Sequence, residues 1–212
     1  VSAAPHQQTL RDTPLFTRFN VASFGCLGYE LDLKHLTRLE RLDVRGQIAF
    51  YKTHRRTLQY GRFIRHASAQ PDRVYWQCVS PEGGASVAGL FRTVVGAADG
   101  SDILPLSGLG KDTRYLVQTR PQSIPLRRFG GLINHLLPFD INPNGLLLRW
   151  LDRIYALPDC IERHEADGRV LMRGVRLNTS FVGTGYSERI RMLSDYGSNL
   201  YVVRPADGAR GD

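Results

Sequence analysis

The chain has 212 residues, 42% of them hydrophobic, with 21 Gly and 11 Pro; it is long enough for a real core and turn-rich rather than disordered. Its 28 Lys and Arg against 20 Asp and Glu give a net charge of +8. The cations are mostly Arg and lie scattered along the chain. There is no recognition-helix, finger or aromatic RNA-binding pattern, so no nucleic-acid partner is expected. No run reaches the roughly 18 apolar residues of a membrane span, and the three cysteines, Cys26, Cys78 and Cys160, are spaced too far apart for a disulfide framework or a zinc site. A reducing, cytoplasmic setting follows.

Val1–Gln8 opens with a short apolar run that Pro5 stops, as at the end of a strand. Thr13–Pro14 then marks a turn or helix start. Phe24, Gly25, Gly28 and Tyr29 form a Gly-punctuated apolar loop. Thr37 with Glu40 three residues on fits a capping box, and Leu39, Leu42, Val44, Ile48, Tyr51 and Leu58 recur at helical spacing. This predicts a helix over about 37–60 that stops at Gly61. His54, in its charged last turns, reads as a solvated side chain.

From Arg62 the period changes. Short runs at 62–66, 73–80, 85–95, 102–106 and 113–120 are rich in Val, Ile, Tyr, Phe and Trp and are separated by Gly- and Pro-bearing turns. They read as an antiparallel sandwich or barrel. Residues 121–160 interrupt it as an insertion, with a short amphipathic helix at 146–155. A membrane-surface role for Arg149, Trp150 and Arg153 is the lesser reading beside core packing. Strands resume at 174–177, 189–193 and 199–204, and 206–212 is a flexible tail.

No catalytic constellation emerges from the residues themselves. Glu30 and Asp32 are a close acidic pair without support as catalysts, and Asp140, Asp152, Asp159 and Glu162 surround the insertion without a motif. Gly108-Leu-Gly110-Lys111 lacks the first Gly and the hydroxyl of a phosphate loop, since position 105 is Pro. No Gly-x-Ser-x-Gly elbow occurs. Arg210-Gly-Asp212 reads as chance, and Asn178-Thr-Ser180 is an acceptor only in a secreted protein.

Read in order, VSAAPHQQ, TPLFTRFNVASFGCLGYELDL, QIAFYKTHRRTLQYGRF and YWQCVS resemble the C-terminal part of bacterial, melibiase-like α-galactosidases of glycoside hydrolase family 36. LSGLGKDTRYLV, GRVLMRGVRL and FVGTGYSERIRMLSDYGSNLY extend the likeness over nearly the whole chain. One departure is Pro5-His6-Gln7-Gln8, where many relatives read Pro-Asn-His-Gln. The resemblance implies an α+β fragment, residues 1–61 being the last β/α unit of a (β/α)8 barrel and 62–205 a C-terminal antiparallel β-sandwich with the 121–160 insertion. A whole barrel takes about 250 residues.

The activity implied is retaining hydrolysis of terminal α-linked galactose from melibiose- or raffinose-type oligosaccharides, without cofactor or metal. The parent enzyme would be a homo-oligomer with no membrane partner. The family's Asp nucleophile and Asp acid/base are expected upstream of Val1, because neither motif is matched here. Ser194–Asp195 is a Ser-Asp pair in the wrong surroundings. Ser2 and His6, at the end of the Val1–Ala4 strand, are the candidate rim residues of the galactose pocket. The fragment alone is then expected to be inactive, with the stripe of Leu39, Leu42, Ile48 and Tyr51 orphaned. The competing expectation is a non-catalytic carbohydrate-binding sandwich that uses Trp76 or Trp150.

Overall fold

The structure, a computed structural model, describes residues 1–96, 101–135, 142, 145–181 and 187–206. Asp140 and the Arg210–Asp212 tripeptide lie outside the described residues, as does most of the expected tail. The amino-terminal segment has no full strand at Val1–Ala4. It has instead one parallel bridge, Ser2 to Glu30, reinforced by the Glu30 N–H donating to the Val1 carbonyl at 2.9 Å.

Two helices occupy this segment, α1 (Leu15–Ala22) and α2 (Arg38–Tyr60), with a 3₁₀ turn at Leu33–His35 before the second. The capping box forms as expected. The Thr37 hydroxyl accepts from the Glu40 N–H at 3.2 Å, and the Glu40 carboxylate accepts from the Thr37 N–H at 2.8 Å. Gly61 does end α2, but with φ −75° and ψ 166° it is extended rather than left-handed. The reason for a glycine is close approach: a Cβ there would collide with the carbonyl oxygens of Thr57 and Val79.

The strands follow as β1 (Arg62–His66), β2 (Arg73–Val79), β3 (Ser86–Arg92), β4 (Ile103–Leu104), β5 (Arg114–Thr119) and β6 (Ser123–Pro125). A 3₁₀ stretch at Leu126–His135, kinked at Gly130, leads towards α3 (Leu146–Ile154). Then come β7 (Ala156–Pro158), β8 (Arg163–Asp167), the one-turn α4 (Gly168–Leu171), β9 (Val175–Arg176) and β10 (Ser198–Pro205). The main sheet has six antiparallel strands in the order β1-β2-β3-β10-β5-β8; β4–β9 and β6–β7 are separate two-stranded pairs.

Alternation along the central strands sends side chains to two faces. Tyr75, Ala88, Leu90, Tyr115, Val117, Tyr201 and Val203 point one way and pack with Leu104, Leu106, Val175, Leu177 and Leu193. Cys78, Val87, Phe91 and Leu200 point the other way and pack with Phe19 of α1 and Tyr51 and Leu58 of α2. Among the described residues, the far face thus carries a two-stranded ribbon and loops where a full second sheet was expected. Residues 189–193 make no strand and only an isolated bridge, Ser180 to Arg191.

The orphaned stripe needs correcting. Tyr51 is buried in the α2–sheet core, Leu39 and Ile48 are half-buried, and Leu42 is exposed. The buried line of α2 is Val44, Gln47, Tyr51, Thr57 and Leu58. Polar members appear in it because neighbours satisfy them; Gln47 Oε1, for example, accepts from the Tyr29 hydroxyl at 2.8 Å.

A buried ionic network fixes the loops of the far face. Asp102 accepts from Arg73 Nε, and its other oxygen from Arg191 Nη2 at 2.7 Å, with Arg92 Nη2 at 3.9 Å. Burial by itself pushes the Asp102 carboxyl up. Hydrogen bonds from Arg191 and Arg73, with the charges of Arg191 and Arg92, outweigh that and hold it below its ordinary range. These three Arg residues are therefore structural.

Candidate functional site

A cleft of about 630 Å³ opens where Ala3–Pro5 and Leu31–Asp32 leave the bridged pair. Both bridged segments run into it carboxyl end first. The amino-terminal turns of α1 and α2 open on the same cleft through Pro14, Leu15 and Thr37. Its far wall comes from the insertion: Ser123, Pro125, Arg127 and Arg128. Insertion and helices are tied together by Phe16, Ile124, Leu126, Phe129 and Leu148 in one small core.

The polar groups of this cleft hold one another in place. Arg127 bridges α2 and α3, Nη2 to Glu40 Oε1 at 3.3 Å and Nη1 to Asp152 Oδ2 at 3.2 Å. Arg128 lies 3.6 Å from Asp12. The Arg18 guanidinium donates to the Ser2 carbonyl, and Ser123 Oγ lies 3.4 Å from both carboxylate oxygens of Asp43. Burial pushes the Asp43 carboxyl up, against the opposing hydrogen bond of Ser123 and the charge of Arg120. Burial lowers Arg18 and Arg128. Neighbouring Arg120 is brought down to about 10 by burial, opposed by the charges of Asp43 and Tyr29. Its guanidinium lies over the Phe19 ring at 4.9 Å.

Ser2 and His6 flank the Ala3–Pro5 segment that lines the cleft, and neither lines it itself. Ser2 is half-buried and engaged through its backbone. His6 is half-buried in a turn, with Nδ1 3.3 Å from the Gln8 N–H. Of the acidic pair, Asp32 lines the cleft and caps the 3₁₀ turn through the Lys34 N–H at 2.8 Å, whereas Glu30 is exposed outside it.

The other acidic candidates are spent on structure. Asp159 accepts from Cys160 N, Met192 N, Gln122 and Asn199, all at 2.8–2.9 Å. Glu162 is held by the Asn178 N–H at 2.7 Å and by His164 at 3.0 Å. Asp195 accepts from the Val95 N–H at 2.8 Å. His54 lies against the Phe50 ring, centroids 4.6 Å apart, and burial lowers its pKa. Trp76 is enclosed by Phe24, Phe63 and Phe91, while Trp150 is 56% exposed.

Among the described residues no three His, Cys, Asp or Glu side chains gather as a metal site, and the three cysteines are free. Among the described residues no helix is long and apolar enough to cross a membrane. Sequence reasoning missed Glu40 and Asp43 as wall residues, although their spacing puts both on one side of α2. Arg127 and Arg128 stand side by side in the insertion, but nothing in the sequence assigns them a position.

The Melibiase family model matches residues 1–61. Alpha-galactosidase AgaA of Geobacillus stearothermophilus is 36% identical over 119 residues, 56% of this chain and 16% of its own. Alpha-galactosidase 1 of Pediococcus pentosaceus is 35% identical over 116 residues, again 16% of its length. The chain thus spans about a sixth of these relatives. Among solved structures, the α-galactosidase of Lactobacillus brevis superposes with a TM-score of 0.66 at 25% identity, over 97% of this chain and 22% of that one. AgaA in complex with stachyose gives 0.65 at 26% identity, over 97% and 21%. Family model, curated relatives and solved structures agree, and this chain matches a C-terminal part of the glycoside hydrolase family 36 α-galactosidases.

Proposed function

We propose that this chain is the C-terminal part of a retaining α-galactosidase that releases terminal α-linked galactose from raffinose- and stachyose-type oligosaccharides. The observation that carries the reading is the superposition on α-galactosidases over 97% of this chain but only about a fifth of theirs. AgaA has been solved with both stachyose and raffinose. Residues 1–61 are then the end of the catalytic barrel, and the sheet that follows is the C-terminal domain.

In this reading the barrel end would comprise two β/α units rather than the one expected from sequence. Ser2 and Glu30 bridge in parallel with α1 between them, and α2 follows the second bridged segment. That order, extended–helix–extended–helix, is the order of two successive barrel units and supports this reading. The catalytic carboxylate pair, which must stand about 5–5.5 Å apart in a retaining enzyme, belongs to earlier strands. Ser2 and His6, beside the carboxyl end of the first bridged segment, keep a role at the rim of the galactose pocket. Three free cysteines fit a reducing, cytoplasmic setting, and the parent enzyme is a homo-oligomer.

The test is turnover of an aryl α-galactoside. The 212-residue chain alone is expected to show none, and the full-length protein carrying it to hydrolyse the substrate with retention. Activity of the chain alone that a point substitution within it abolishes would sink the reading. The alternative, a carbohydrate-binding module, loses one platform because Trp76 is enclosed by Phe rings. Trp150 remains for it, with exposed Tyr60 and Tyr155, and calorimetry of the chain and its Trp150→Ala variant with raffinose tests it.

A further inference from the structure

A second groove, about 600 Å³, adjoins the cleft at the strand ends and shares Asp12, Thr37, Arg127 and Arg128 with it, so that the two together make a trough. It runs from Pro5 and Asp32 past Arg127 to Arg149 and Arg153 of α3. We propose that this trough binds the leaving-group sugars of an oligosaccharide α-galactoside, and that Arg127 selects for longer substrates. The proposal rests on the α-galactosidase reading above and adds a role for the sheet domain's insertion.

Three observations carry it. The first is position: the trough begins at the carboxyl ends of the two parallel bridged segments, the face on which barrel enzymes do their chemistry. The second is size. Each half lies within the roughly 300–1,000 Å³ of small-molecule sites, and an end-to-end pair suits an extended chain of sugars better than a single ring. The third is chemistry. Four carboxylates (Asp12, Asp32, Glu40, Asp43) face three guanidiniums (Arg18, Arg127, Arg128) in the first half, which is close to neutral despite the chain's charge of +8.

Alternating acceptors and donors suit sugar hydroxyls, each of which can both donate and accept. The second half carries four guanidiniums (Arg127, Arg128, Arg149, Arg153) against two carboxylates (Asp12, Asp152), so the balanced half is the one at the strand ends. Arg127 stands at the joint of the two halves with its side chain 55% exposed. It is oriented by Glu40 from α2 and Asp152 from α3 at 3.2–3.3 Å. Guanidinium edges not used by those carboxylates can donate to a hydroxyl in the trough.

The test compares kcat/KM for stachyose with kcat/KM for a nitrophenyl α-galactoside in the full-length protein. Arg127→Ala is expected to lower the stachyose-to-aryl ratio about tenfold, the order expected for loss of a hydrogen bond to a charged group. Arg127→Lys should lower it less. Asp32→Asn, on the opposite wall, should move it in the same direction even if Arg127→Ala fails to fold. Arg163→Ala, exposed on edge strand β8, is the control whose ratio stays at the wild-type value. Ratios within twofold of wild type in both Arg127→Ala and Asp32→Asn would overturn the proposal, as would equal losses on both substrates. A wild-type protein that turns over neither substrate would instead overturn the α-galactosidase reading beneath it.

Discussion

Replacing Tyr51 with Ala should loosen the sheet as much as the helix that carries it. Tyr51 is 6% exposed and packs with Phe19, Leu58, Cys78, Val87, Phe91 and Leu200. Its hydroxyl donates to the Gly25 carbonyl at 2.8 Å and accepts from the Leu27 N–H at 3.3 Å. Truncating a buried aromatic to Ala costs about 3–5 kcal/mol, and each lost hydrogen bond adds about 1 kcal/mol. The total is a large fraction of the roughly 5–15 kcal/mol that holds a domain together. Tyr51→Phe, which keeps the ring, should lose only about 1–2 kcal/mol.

Urea unfolding with hydrogen exchange by mass spectrometry reads both ends of the contact. In Tyr51→Ala, amides of α2 and of β3 and β10 should lose protection together and by similar factors, because one core joins them. If α2 opens while β3 and β10 keep wild-type protection, the helix is a separate unit and the packing argument is wrong.

Asp102→Asn leaves three buried guanidiniums facing a neutral amide, so a loss of about 3–5 kcal/mol is expected by urea denaturation. Because the folded-state pKa of Asp102 is depressed, its contribution is present above the unfolded value and lost as pH falls through the folded one; acid titration of wild type against the variant shows the difference below about pH 4. Arg120→Met should be neutral or raise the melting temperature. Arg120 is buried and Nε and Nη2 have no hydrogen-bond partner among the described residues; its depressed pKa, about 10, means that the penalty for burying the charge is full below pH 10 and relieved only above it. Gly61→Ala should cost about 1–3 kcal/mol, measured by the same denaturation, because the added methyl meets two backbone carbonyls that cannot both retreat. His54 is lowered by burial, so the unfolded chain takes up its proton first and stability falls as pH drops below about 6.5; His54→Gln should flatten that part of the stability–pH curve.

What could be read from sequence follows how locally each element is specified. The capping box of α2 and the apolar runs of β1, β2, β3, β5 and β10 are written in adjacent residues; the structure keeps them within a residue or two, except that β3 stops at Arg92, three residues short of the expected end. Strand β8 was missed because Arg-His-Glu-Ala-Asp is the charged composition by which a sheet edge discourages further pairing. Helix α1 was legible only as a turn or helix start at Thr13–Pro14, because Thr17 and Asn20 stand in its buried line and no side chain caps its start. The partner that makes those polar residues tolerable is Ser198, nearly the whole chain away: its hydroxyl lies 2.9 Å from both Thr17 Oγ1 and Asn20 Nδ2. The cleft was illegible for the same reason, since Glu40, Asp43, Ser123 and Arg127 share a wall only after the insertion has folded back over α2.

The boundary at residue 61, where the family model stops, is therefore not a boundary in the packing. On one side of α2, Tyr51 and Leu58 complete the sheet's core. Near its amino terminus, Glu40 and Asp43 meet Arg127 and Ser123, which come from beyond the sheet's fifth strand. Val21, Leu33 and Leu42 stand exposed on the same amino-terminal segment. A helix used on several sides at once transmits strain between them: anything that shifts α2 against the sheet also moves Glu40 relative to Arg127 and opens the joint of the trough. Core substitutions such as Tyr51→Phe should then alter the stachyose-to-aryl ratio in the full-length protein without touching a sugar, whereas Tyr115→Phe, on the far face of the same sheet, should not.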